Sequence, residues 1–126
     1  MTIGFAAQSQ DRNVQWSVDE FTSTNTSGTH GSGAIVQSVG AGTASGATTS
    51  FAITLAALGS SNNVAMGFIR LITRGSGFTE LSNKGDTNGT QTEAEWKVNT
   101  TNVNWTWASE TVVSAGIAIE IKAATQ

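Results

Sequence analysis

The chain has no cysteine, no proline and no tyrosine, and a single histidine, His30. Without cysteine there is no disulfide framework, no thiolate nucleophile and no cysteine-ligated zinc, and the redox compartment is left open. Catalysis draws mostly on His, Cys, Lys, Tyr or paired carboxylates held in a preorganised site, and this chain offers few of them. Charge is scarce too: six basic and nine acidic residues give a net charge of −3. That excludes the basic field needed to hold nucleic-acid phosphates or an anionic membrane. The apolar runs fall well short of the ~20 residues of a membrane-spanning helix. The first residues, Met1 to Gln8, carry no charged n-region and no adequate apolar core, so they do not read as a secretory signal. Four Asn-x-Ser/Thr triplets, at Asn25, Asn88, Asn99 and Asn104, then read as by-products of composition. The expectation is a protein made in a cytoplasm and used as translated.

What is present is a polar, strand-forming text. Gly, Ser, Thr and Asn supply 56 of 126 residues, yet Val, Ile, Thr, Phe and Trp recur at regular intervals. Disorder requires few such residues and usually a high net charge, so the chain should fold. Its length fits one domain able to bury roughly two thirds of its unfolded surface.

The dominant periodicity is two. Val14, Trp16 and Val18 alternate with polar neighbours, and Phe21 falls out of phase, which predicts a bulge near Glu20. Thr22 to Gly33 reads as a long polar loop. Strands are predicted over Ala34–Val39 and, after a Gly/Ala/Ser/Thr linker, over Phe51, Ile53 and Leu55. The turn Gly59–Asn63 leads into Val64–Thr73, apolar on both faces apart from Arg70, as in a central or subunit-facing strand. A short strand at Phe78 and Leu81 precedes a loop from Ser82. Ala94, Trp96 and Val98 then oppose Glu93, Glu95 and Lys97, and Val103, Trp105 and Trp107 oppose Asn102, Asn104 and Thr106. Ile117, Ile119 and Ile121 close the chain, with Ala118, Glu120 and Lys122 read as outward. About eight strands at this spacing, with no 3.6-residue pattern, predict an all-β antiparallel two-sheet sandwich, a jelly roll by economy. Residues 1–12 form an N-terminal arm and 13–126 a single domain.

Few side chains suggest chemistry. Trp96, Trp105 and Trp107 resemble a sugar-stacking platform, but each is in phase with Val or Ala, which favours core. Glu93 and Glu95 on one strand face have a separation in the glycosidase range, yet outward Glu also solvates a strand, and no pocket is implied. Asp86-Thr-Asn88-Gly89 lacks the acidic spacing of a calcium loop and reads as a turn. Lys84-Gly85-Asp86 is too short a match to mean adhesion, and His30 reads as an exposed loop residue. No catalytic, cofactor or metal residue is nominated. The arm Thr2–Gln10 either pairs within its own domain or adds a strand to a neighbour.

Three blocks in order, Asn13 to Phe21, Gly33 to Ser38 with Phe51 to Gly59, and Gly116 to Lys122, give the chain a family likeness. It resembles the small β-sandwich structural proteins of tailed-phage virions, which serve as capsid decoration (cement) proteins and as tail-fibre domains. The resemblance spans most of the chain, with no enzymatic residue to carry over. It implies a component of the virion surface that binds the major capsid protein and forms a homo-oligomer, a trimer as cement proteins commonly are, without nucleic acid or membrane. Because the sequence starts at Met1 and holds one block, a free-standing decoration protein is expected ahead of a fibre or glycan-binding domain using the loops at 22–33 and 82–92. The residues expected to make capsid or subunit contact are Ile3 and Phe5 in the arm, and Met66, Phe68 and Arg70 in the two-faced strand.

Overall fold

The structure, a computed structural model, describes residues 18–42, 48–70, 73–74, 76–85, 91–111 and 114–124. The arm, with Ile3 and Phe5, the predicted strand at Val14 and Trp16, and the Asp86–Gly89 turn lie outside the described residues. Eight strands are described: β1 Ile35–Gly42, β2 Thr48–Thr54, β3 Val64–Arg70, β4 Thr73–Arg74, β5 Thr79–Gly85, β6 Gln91–Val98, β7 Asn102–Thr111 and β8 Ala115–Ile121. They form a five-stranded sheet, β1-β8-β3-β6-β5, and a three-stranded sheet, β2-β7-β4. Every pairing is antiparallel. The chain is an all-β sandwich, as its periodicity predicts.

The pairings nest: β1 with β8, β2 with β7, β3 with β6. This is the doubled-back strip of a jelly roll. The departure is β5, which joins β6 in the larger sheet instead of lying beside β4 in the smaller one. Two strand boundaries differ from the periodic reading. The run from Val64 divides, because β3 and β4 belong to different sheets. The strand read as ending at Leu81 continues to Gly85, since main-chain pairing with β6 carries it through Ser82, Asn83 and Lys84.

The core lies between the sheets and is supplied unequally by them. Ile53 of β2, Leu55 just beyond its end, and Val103, Trp105 and Trp107 of β7 bring bulk from the side of the smaller sheet. Across from them β3 and β8 offer mainly small residues: Ala65, Gly67, Gly116 and Ala118. Gly67 is a requirement of this packing, because a Cβ there would stand 2.5 Å from Cζ2 of Trp105. The Trp105 ring in turn stacks on Phe51 at 6.1 Å between centroids. Trp105 and Trp107 are therefore core, as predicted.

The polar stretch 22–33 is a loop closed on itself. The carboxamide oxygen of Asn25 accepts the amide of Ser27 at 2.9 Å, and the Gly33 amide donates to the Ser27 carbonyl at 2.9 Å. His30 is exposed within a 3-10 turn, Thr29–Ala34. Amides of Asn25 and Ala124 donate to Lys122 and Ser23 carbonyls, tying this segment to the chain beyond β8.

Candidate functional site

Register across the five-stranded sheet decides which side chains share a face. Because Gly67 points at Trp105, residues in register with it, or two removed, face the other sheet. One inward row is Gln37–Glu120–Ala65–Lys97, the next is Val39–Ala118–Gly67–Glu95, and the third contains Gly116, Ile69 and Glu93. Three carboxylates thus point into the sandwich, and Glu93, Glu95 and Glu120 are all 0% exposed. This corrects the expectation that they solvate an outer face. It also places the Glu93/Glu95 pair, the one glycosidase-like candidate, where a sugar substrate does not reach.

The physical reason is visible at Glu120. Its Oε1 accepts Nδ2 of Asn63 at 2.5 Å and the Gly59 amide at 2.9 Å, while Oε2 accepts Nε2 of Gln37 at 2.7 Å. The partners are held in turn: Gln37 Oε1 accepts the Ala56 amide at 2.9 Å, and Asn63 Oδ1 accepts the Ala123 amide at 3.2 Å. Burial alone would push the Glu120 carboxyl up, but the hydrogen bonds from Asn63, Gln37 and Gly59 outweigh it and hold the group below the ordinary glutamate range. The network clamps the 55–63 connection against β1 and β8, so it is architecture.

The opposite face of the same sheet is the functional candidate. Its first row is Ile35–Ile121–Val64–Val98, its second contains Ile119, Met66 and Trp96, and its third contains Ile117, Phe68 and Ala94. Ten apolar residues and no charge occupy these rows. Ile117, Ile119 and Ile121 therefore lie on the outer face, not in the core between the sheets, and so does Trp96. The latter is half-buried beneath Phe21, whose ring meets it edge-on at 6.4 Å. Around the margin, Ile117 is 43% exposed, Val98 45%, Val36 46% and Ile35 48%. An open groove lined by Phe21, Thr24, Ile35, Val36, Asn62 and Lys122 continues the surface past the first row.

Of the five nominated contact residues, Met66 and Phe68 fall side by side in the centre of this face, two residues apart on β3. Arg70 closes β3 in register with Thr92, and only its backbone is described. Sequence reasoning missed Ile117, Ile119 and Trp96 as surface residues. The available signal was the small-residue set at Ala65, Gly67, Gly116 and Ala118, which marks the phase lying beneath a bulky partner sheet. No protein-family model matches the chain, and no similarity was found to a curated protein or to a solved structure.

The surface can bury apolar area against another macromolecule. Ala94 and Ile121 in these rows are themselves covered, at 0% and 6% exposed, so the apolar area open to a partner lies at the other eight positions, chiefly the margin at Ile35, Val98 and Ile117.

Proposed function

We propose that the chain is a non-enzymatic virion protein of a tailed phage, a capsid decoration protein that self-associates and stabilises the shell. The observation that carries the reading is the apolar outer face of the five-stranded sheet, which holds Met66 and Phe68. It is surface suited to assembly. The residues that elsewhere do acid–base work support the same reading, since Glu93, Glu95 and Glu120 are buried inside the sandwich. Decoration acts by mass action: each bound copy contributes its binding free energy to the intact shell and none to the ruptured one. Repetition around a symmetry axis multiplies that contribution, a trimer on a threefold axis being the expected form.

The test uses purified chain and capsids of the phage or prophage whose genome encodes it. Saturable co-sedimentation with capsids, and a higher rupture temperature of decorated particles, are expected. Capsids that stay bare at saturating chain concentration would overturn the reading.

A further inference from the structure

The few charges of this chain are unevenly spread. Apart from His30, residues 21–69 contain no ionisable side chain. They supply β1 and β2, each of which pairs on one side only among the described residues. These two strands come close to each other, so one flank of the sandwich ends in two uncharged edges. The other end strands carry charge: Glu80 and Lys84 lie in β5 and Arg74 in β4. Charged side chains and proline are the usual protection of an open strand edge, and β1 has neither. Its one irregularity falls at Val36, which leaves Gln37–Gly42 as six regular residues. Only Gln37 and Val39 of this strand are half-buried, the other six residues being exposed.

The chain's own N-terminal part approaches from elsewhere. The Asn25 amide is bonded to the Lys122 carbonyl just past β8, the neighbour of β1, whereas Phe21 meets Trp96 of β6. Followed from Asn25 back to Phe21, the chain passes from β8 towards β6, three strand spacings or roughly 14 Å from β1. It leads away from the β1 edge. A second copy, by contrast, fits that edge. Antiparallel pairing of β1 with itself about a twofold centred on Val39 sets Gln37 opposite Ala41 and Ser38 opposite Gly40, larger against smaller. It also brings two chains of net charge −3 together at the flank where no charge meets its like.

We propose that the free edge of β1 pairs with the β1 edge of a second copy of this chain, joining two five-stranded sheets into one of ten strands. The outward main-chain N–H and C=O groups of Gln37–Gly42 then bond to each other across the twofold. The inference rests on the reading of the chain as a self-associating protein, and it uses a surface separate from the apolar outer face. Being twofold, the contact links threefold units to one another on a shell and leaves the contacts within each unit to other surfaces.

The test uses the full chain, which has no cysteine of its own, so one introduced cysteine carries one spin label. Ser38→Cys labels the middle of β1, and Lys84→Cys labels β5; both sites are exposed. In the joined sheet the two Ser38 labels stand on adjacent strands and broaden the continuous-wave spectrum. The two β5 strands stand nine spacings apart, roughly 43 Å, and labels there do not broaden. Broadening at Ser38, lost when excess unlabelled chain is mixed in, is the expected result. Separated spins at Ser38 would overturn the proposal, as would broadening at Lys84 instead; a segment of the same chain seated on β1 gives the first of these. A second readout is Ser38→Lys, which puts a charge on the edge at an exposed site and so keeps the fold, as the urea midpoint checks. The variant should lose the dimer in sedimentation over a concentration series, and unchanged association would count against the joint. Failure here is distinct from failure of the decoration reading. Chains that bind capsids with β1 unpaired keep decoration and lose the joint, whereas chains paired through β1 that ignore capsids do the reverse.

Discussion

Replacing Glu120 by Gln tests the interior network most sharply. The wild-type carboxylate accepts three hydrogen bonds, from Asn63, Gly59 and Gln37, at a position with no solvent exposure. A carboxamide has one oxygen, so its NH2 must face at least one of those donors, and a Gln37 flip would set its own NH2 against the Ala56 amide. One buried donor left without an acceptor costs about 1–3 kcal/mol, and losing the charge on the remaining bonds adds to that. We expect Glu120→Gln to lower unfolding free energy by about 2–3 kcal/mol, a large share of the 5–15 kcal/mol typical of a domain. Urea denaturation at neutral pH, followed by tryptophan fluorescence, reads this as a shift in midpoint at constant slope.

The same substitution carries a pH signature. The folded-state carboxyl titrates below the ordinary glutamate range. Its contribution is therefore complete above the unfolded-state value and is lost as pH falls through the folded-state one. The gap in stability between wild type and Glu120→Gln should be widest at neutral pH and narrow on acidification below the ordinary glutamate range. Equal midpoints at neutral pH, or a gap that widens in acid, would refute the account of Glu120 as an ionised clamp.

Three further outcomes follow from the packing and the arm. Gly67→Ala puts a methyl against Trp105 and Val103 and should destabilise by about 1–3 kcal/mol as overpacking does, with a change in near-ultraviolet circular dichroism. Trp105→Ala should cost about 3–5 kcal/mol as a buried aromatic truncation; Trp96→Ala, on the outer face, should cost less in urea and instead shift oligomer size in sedimentation. Removing residues 1–10 should abolish capsid binding in co-sedimentation while the unfolding midpoint stays close to that of the full chain.

Much of the fold was legible in the sequence because side-chain direction in a strand alternates with period two. The strands at Phe51–Leu55, Val64 onward, Ala94–Val98, Val103–Trp107 and Ile117–Ile121 were visible from that alternation alone. So was the core position of Trp105 and Trp107, whose opposite phase is Asn and Thr. The polar loop at 22–33 followed from a run of polar residues with no periodicity. The outward placement of Glu93, Glu95 and Glu120 was wrong, because the usual inference sends the charged phase to water. Whether a buried carboxylate is tolerable depends on donors far away in sequence: Gln37 and Asn63 lie 83 and 57 residues from Glu120.

By itself, then, the sequence determined that this chain is a β-sandwich built from strands with two unlike faces, poor in reactive groups. Only the tertiary structure decided which face of the larger sheet meets the smaller one. Alternation distinguishes two faces without orienting either. Orientation came from volume: Trp105, Ile53 and Val103 need room beneath them, and in β3 and β8 it is the phase of Ala65, Gly67, Gly116 and Ala118 that leaves it. With that phase turned inward, the carboxylates follow into the interior, where Glu120 meets the donors of Asn63, Gly59 and Gln37. The isoleucines, with Met66, Phe68 and Trp96, are carried to the outside, and there they form the surface on which assembly is proposed.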